Sequence, residues 1–184
     1  MAAVSTPHRF TRDEYYRIGE TSLFADKRME LLDGEIIDIA PHNPPHASRI
    51  ARLSFLLFRL LGTAFTIRAQ LPIILNDWSE PEPDVAICRF DADDYPQVHP
   101  QASDVFLVIE VAESTLAFDR SRKGAVYAGS AIPEYWIVNL VDRRIEVFSG
   151  PDLANRRYRQ ERVAVPGDTL LLPGGVSLAV ADVW

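Results

Sequence analysis

The chain is poor in several things, and each shortage excludes something. It has a single cysteine, Cys88, among 184 residues, so no internal disulfide can staple it and no cysteine zinc knuckle can form. No apolar run approaches the roughly 18–20 residues that a membrane-spanning helix needs. The opening MAAVSTPHRFTRDEYY lacks the apolar stretch of a secretory leader. Together these predict a cytoplasmic protein with no membrane partner. There is no basic excess: 19 basic residues face 26 acidic ones, for a net charge of −7. Because non-specific nucleic-acid binding runs on phosphate neutralisation, that balance argues against a DNA coat protein. It leaves a metal-dependent enzyme open, since bound dications bring their own positive charge. No GxSxG elbow, no phosphate loop ending in GK and no GxGxxG is present. Lysine is also scarce: only Lys27 and Lys123 stand beside 17 arginines. Base composition of the genome explains an arginine bias, and a lysine that survives it marks a place where arginine does not serve.

What remains is an ordinary globular composition, 47% hydrophobic and 24% charged, of one-domain length. Residues 1–9 read as a loose arm and 10–184 as a single domain. Thr11 followed by Glu14 is a capping-box spacing and predicts a helix over 11–19. Asp33-Gly34 between two apolar-rich runs predicts a hairpin of strands 28–32 and 35–39. Ile50, Leu53, Leu57 and Leu60–Leu61 recur at helical spacing and predict a helix over 46–61 that ends at Gly62. Strands are expected at 64–75, 84–89 and 104–112, a helix at 118–130, and strands at 134–140, 144–148, 158–165, 169–172 and 176–183. The pattern predicts a mixed α/β (α+β) domain around one central sheet.

Strand 104–112 is the most informative. It is apolar on both faces, with Val105, Leu107, Ile109 and Val111 on one and Phe106, Val108 and Ala112 on the other, which predicts a buried central strand. Glu110 lies inside it. A buried carboxylate costs several kcal/mol (roughly, after relaxation) unless it is paired, protonated or metal-bound. A salt bridge to a buried arginine is the plain alternative. Asp84 opens another apolar strand behind the rigid Pro81-Glu82-Pro83 segment. Two carboxylates on adjacent strands would suit Mg²⁺ or Mn²⁺. Lys123 lies on the next helix, with Asp119 and Tyr127 at i−4 and i+4. It reads either as half of a surface pair with Asp119 or as an ammonium aimed at the carboxylates. Glu30 reads as a solvent-facing charge on an edge strand. His42 and His46 are four apart, but Pro41, Pro44 and Pro45 keep one helix from carrying both, so an HxxxH zinc pair is not expected. His46 reads as a helix start without chemical importance. Gln70, on an apolar strand, needs a partner if buried and is placed in the same cleft.

The set MELLDGEI, His46, SEPEPDVAI, LVIEVAESTLAFDRSRK and YAGSAIPEYWIVNL resembles the Uma-two family, a large uncharacterised bacterial family assigned to the PD-(D/E)xK endonuclease superfamily. The resemblance runs from Phe10 to Trp184. It implies the restriction-endonuclease-like fold, a central mixed β-sheet flanked by helices. It implies hydrolysis of DNA phosphodiesters by water activated on Mg²⁺ or Mn²⁺. Pro83-Asp84 matches the PD step and Glu110 the acidic residue of (D/E)xK, and the backbone carbonyl of Val111 joins these two as a metal ligand. The motif lysine would fall at 112, where this chain has Ala112, and the match moves to Lys123. Glu30 matches an acidic residue near the metal, and His46 and Gln70 match recurrent family positions. The competing reading is a non-catalytic nuclease-fold module for nucleic-acid or protein interaction, favoured by the acidic charge and by Ala112. A third is a hydrolase of RNA or a nucleotide. Superfamily members often pair, so a homodimer is expected, with Tyr158 and Trp184 as its candidate surface or, equally, as core residues of the C-terminal strands. Arg120, Arg122, Arg143, Arg144, Arg156, Arg157 and Arg159 are candidate phosphate contacts.

Overall fold

The computed structural model describes residues 6–21, 24 and 26–184. The first part of the expected 1–9 arm, residues 1–5, lies outside them. Of the remainder, Arg9 donates from Nε to the Asp33 carbonyl at 2.9 Å, and the next N–H, of Phe10, bonds the Gly34 carbonyl.

Helix α1 (Arg12–Gly19) starts where the spacing predicts. Thr11 accepts from the Glu14 N–H, and the Glu14 side chain reaches back to the Thr11 N–H, so two orphan donors are satisfied at once. Strands β1 (Met29–Leu32) and β2 (Glu35–Asp38) form the predicted hairpin. Its turn needs two left-handed residues, and Asp33 (φ 51°) and Gly34 (φ 79°) supply them. Helix α2 (Pro44–Leu61) begins two residues before the predicted start, because Asn43 is the N-cap and a proline at the first helical position has no N–H to lose.

Six strands make the main sheet, in the order β3-β4-β5-β6-β7-β8. They are β3 (Phe65–Ala69), β4 (Val85–Arg89), β5 (Val105–Ala112), β6 (Glu134–Asn139), β7 (Arg144–Asp152) and β8 (Arg157–Ala164). The β5–β6 pair is parallel and the other neighbours are antiparallel, so the sheet is mixed. A second hairpin joins β9 (Thr169–Leu171) to β10 (Ser177–Ala179). The strand expected over 64–75 stops at Ala69. Gln70 takes φ 55°, its N–H turns to the carbonyls of Pro83 and Asp84, and Pro72 cannot donate to a ladder. The last expected strand, 176–183, stops at Ala179 and ends as a 3-10 turn over Val180–Val183.

The sheet buries both faces. On one, Val85, Ile87, Leu107, Ile109 and Val111 pack against Leu53 and Leu57 of α2 and against the C-terminal segment. On the other, Ala86, Cys88, Val108 and Ala112 pack with Tyr127, Tyr135 and Ile137. Val105 joins this second layer, not the Leu107 face, because the β4–β5 register skips Phe106 opposite Cys88 and the bulge turns the strand. By the two-residue period, Asp84 and Glu110 project to the second face.

That face is covered by one helical run. It opens with α3 (Leu116–Phe118), widens into a π-helical turn over Asp119–Lys123, and closes with α4 (Gly124–Gly129). Tyr158 and Trp184 are half-buried against the two core layers. Tyr158 stacks on Tyr135, and Trp184 packs against the α2-side core under the guanidiniums of Arg49 and Arg143. Several candidate phosphate contacts are likewise engaged: Arg120 and Arg144 on Glu146, Arg122 on Glu35, Arg156 on Asp33. Among the described residues no helix is long and apolar enough to cross a membrane.

Candidate active site

The site lies where β4 begins and β5 ends. Val85 pairs with Ile109 across these strands, which brings Asp84 beside Glu110. The two are cross-linked through backbone. The Asp84 N–H donates to Glu110 Oε2 at 3.3 Å, and the Val111 N–H donates to Asp84 Oδ2 at 2.8 Å. Both carboxylates are buried.

Glu110 takes its cation from a lysine and not from an arginine. Lys123 Nζ donates to Glu110 Oε1 at 2.9 Å, and the Tyr127 hydroxyl donates to the same oxygen at 2.7 Å. The i, i+4 spacing puts both donors on one helix face. The surface pair considered for Asp119 and Lys123 does not exist. Both residues are buried, and Asp119 instead accepts from the Thr115 hydroxyl at 2.7 Å. Glu30 is also not solvent-facing. It is 3% exposed and stands 3.4 Å from Lys123 Nζ. Its strand is turned inward because Leu31 bridges to Glu80, and the Glu82 N–H then donates to Glu30 Oε2 at 3.2 Å.

His42 and His46 correct the sequence reading. Pro44 and Pro45 keep His42 off the helix, as expected, but the bend they impose brings the rings together instead of apart. Their centroids are 4.4 Å apart, and His46 Nε2 lies 2.9 Å from Asp84 Oδ2. One donor atom each from His42, His46 and Asp84 fall within 4.8 Å of one another. Gln70 hydrogen-bonds His42 from just beyond the end of β3. Asn43 supports the group twice: its Oδ1 accepts from the His46 N–H at 3.0 Å, and its Nδ2 donates to Glu113 at 2.6 Å. These groups line one cavity of about 310 Å³ together with Glu30, Glu110, Asp119 and Lys123.

The electrostatics follow from four buried carboxylates and one ammonium. Burial pushes Glu110 up to about 8. Lys123 pulls against that, while Asp84, Asp119 and Glu30 reinforce it. Asp119 is raised for the same first reason, burial. Burial by itself would discharge Lys123, but Glu110, Glu30 and Asp119 outweigh it and hold the ammonium protonated. His42 is lowered by burial and by His46, so it is neutral and its ring nitrogens can act as ligands. The cavity thus carries more negative than positive charge and offers oxygen and imidazole donors, a set that suits a divalent cation.

Sequence reasoning missed His42, Asp119 and Tyr127 as site residues. The signal for His42 was present in Asn43-Pro44, a helix cap followed by its proline, which sets His42 immediately outside the helix mouth. For Asp119 and Tyr127 the signal was their spacing of four residues on either side of Lys123, which puts them on the helix face that the lysine presents to the carboxylates.

A family model described as "Uma2: Putative restriction endonuclease" matches residues 12–181. Among curated proteins there is no match. Among solved structures, the chain is similar to "a putative nuclease belonging to DUF820" from Anabaena variabilis ATCC 29413. The TM-score is 0.69 at 14% identity, with 95% of this chain and 97% of that one covered. At that identity the likeness establishes the fold: a mixed α+β domain with a central six-stranded sheet. The family match covers most of the chain, and the chain belongs to the Uma2 family of restriction-endonuclease-like proteins.

Proposed function

We propose that the chain is a divalent-metal-dependent endonuclease that hydrolyses DNA phosphodiester bonds. The observation that carries this reading is the buried Glu110–Lys123 pair set beside Asp84 in an open cavity. It is an expensive arrangement for a core, and a pair needed only for stability would be replaceable by apolar residues at no loss. Family membership and the nuclease-like fold support it.

In this reading Asp84, Glu110 and the Val111 carbonyl hold Mg²⁺ or Mn²⁺. Such an ion supplies a more acidic water and a polarised phosphoryl oxygen. The chain's own residues do the rest. Lys123 stays protonated, so it orients the attacking water and offsets negative charge at the phosphorus in the transition state. A compact ammonium fits between Glu110 and Glu30, where a forked guanidinium would not. Glu30 holds Lys123 in place. Tyr127 fixes Glu110 Oε1, so that carboxylate cannot swing away from Asp84.

The test is nicking of a supercoiled plasmid by the full chain in EDTA, Mg²⁺ or Mn²⁺. We expect ion-dependent nicking that Asp84→Asn and Lys123→Met each reduce by about 10²-fold or more. Equal nicking by wild type and Asp84→Asn would overturn the assignment. A folded protein that cuts no DNA with any ion, yet retains bound DNA or protein, would favour the non-catalytic module. Cleavage of RNA or nucleotides alone would move the substrate and keep the chemistry.

A further inference from the structure

The geometry points to a transition-metal site formed by His42, His46 and Asp84, one that takes a first-row dication such as Zn²⁺ or Co²⁺ in preference to Mg²⁺. This rests on the reading of the cavity as a metal-dependent hydrolytic site, and it adds a second ion position beside the Asp84–Glu110 one, with Asp84 shared between the two. Three observations carry it.

The first is spacing. Ligand atoms that sit about 2.1 Å from one ion lie roughly 3–3.4 Å apart. His46 Nε2 and Asp84 Oδ2 are 2.9 Å apart, and a donor from His42 lies within 4.8 Å of both, near enough to join them by a small rotation of its ring.

The second is that each ligand is held from behind, as metal ligands are. The Val111 N–H fixes Asp84 Oδ2 at 2.8 Å. Asn43 fixes the backbone of His46 by capping its helix. Gln70 bonds His42 Nε2, and its amide can present either its nitrogen or its oxygen there. With the oxygen presented, His42 carries its proton on Nε2 and leaves Nδ1 for an ion. His42 Nδ1 already faces the His46 ring, 3.4 Å from its Nδ1. Arg28 reaches the same ring from its Nε2 side, with Nη1 3.5 Å from His42 Nε2, while its Nη2 is tied to Glu82 at 2.7 Å, so the guanidinium stands away from Nδ1.

The third is donor chemistry. Mg²⁺ prefers oxygen and gives up water reluctantly. Two imidazoles and one carboxylate, with room left for water or substrate in the cavity, match the donor set of catalytic zinc and related transition ions. Three protein ligands would leave coordination positions for water or substrate, in a cavity that Glu110 and Lys123 also line.

The experiment is a Co²⁺ titration of the full chain followed by visible absorption, whose bands report imidazole ligation. Wild type should give a saturable spectrum that equimolar Zn²⁺ abolishes and a tenfold excess of Mg²⁺ does not. His42→Ala and His46→Ala, checked for folding by thermal melting, should each weaken Co²⁺ binding about tenfold or more. Displacement of Co²⁺ by Mg²⁺ at similar concentration would overturn the inference, and that result needs no variant to fold. So would histidine variants that bind Co²⁺ like wild type. The nicking assay separates this from the nuclease reading. Nicking supported equally by Mg²⁺ in wild type and both histidine variants, without a Co²⁺ spectrum, would sink the transition-metal site alone. A Co²⁺ site with no cleavage under any ion would sink the nuclease reading alone.

Discussion

Neutralising Glu110 should stabilise the metal-free protein, although it removes half of a buried ion pair. The reason is the charge count. Glu110, Asp84, Glu30 and Asp119 are buried around a single ammonium, and Lys123 remains 3.4 Å from Glu30 when Glu110 is gone. Burial pushes Glu110 up to about 8 from an ordinary 4.5. An acid whose folded pKa is raised binds more protons in the folded state than in the unfolded one. Its penalty is therefore absent below about pH 4.5 and grows as pH rises toward 8. Each pH unit in that window costs about 1.4 kcal/mol, so between pH 6 and pH 8 the wild type should lose roughly 2–3 kcal/mol through this one group. Glu110→Gln, nearly isosteric, should show none of that loss. For a domain of this size the difference at pH 8 is about 5–10 °C in melting temperature. The assay is thermal and urea unfolding of both proteins in EDTA at pH 5, 6, 7 and 8. A gap that opens with pH, with the glutamine variant on top, is the expected result. A glutamine variant less stable than wild type at pH 8 would refute the charge count and make the Glu110–Lys123 bridge a net stabiliser. Added Mn²⁺ should then raise the wild type and leave the variant where it was.

Three further outcomes concern a buried carboxylate outside the cavity, the α2 cap at its edge and the first hairpin turn. Glu146 is held down to about 2, first by the Arg120 guanidinium and then by Asn139 and Arg144, and its side chain is 2% exposed. A depressed acid contributes stability above its unfolded pKa and loses it as pH falls, so acid unfolding between pH 4.5 and 2 should remove about 3 kcal/mol, and Glu146→Gln should flatten that limb. Asn43→Ala removes the α2 cap and the bond to Glu113, and should cost about 1–2 kcal/mol by urea denaturation. At Gly34, φ is +79° and an added Cβ would meet Arg9 Cβ at 2.7 Å, so Gly34→Ala should destabilise by about 1–3 kcal/mol, whereas an unchanged melting temperature would mean that the Arg9 segment simply moves aside.

Local chemistry made the fold legible wherever an element announces itself within a few residues. The Thr11–Glu14 box, the Asp33-Gly34 turn and the Gly62 stop all stand where the sequence places them. Reading failed where distant chain decides. Nothing near Glu30 says that its strand is bridged to Glu80, far along the chain, and so a charge that looks exposed is buried. The apolar run after Ala69 looks like more strand, but Gln70 turns its N–H to the next strand's entry and ends it. The carboxylates of the site were legible because a charge inside a doubly apolar strand contradicts its surroundings. His46 was placed in the cleft by resemblance alone, and His42 was missed, because a rule about one helix says nothing about two residues that meet across a helix mouth.

The lysine shows why position in space outranks position in sequence here. Position 112 shares a sheet face with Glu110, but Ala112 is fully buried in the layer that holds Tyr127 and Ile137. A lysine there would have to displace that packing. The helical run that covers the same face offers another route to the same oxygen. That run contains a π turn over Asp119–Lys123. The four-residue spacing of Asp119, Lys123 and Tyr127 keeps all three on one side of the run, so Lys123 and Tyr127 both reach Glu110 Oε1 while Asp119 is buried on the same face. An ammonium delivered from the helix thus reaches the carboxylate that a strand residue could reach only by displacing core packing.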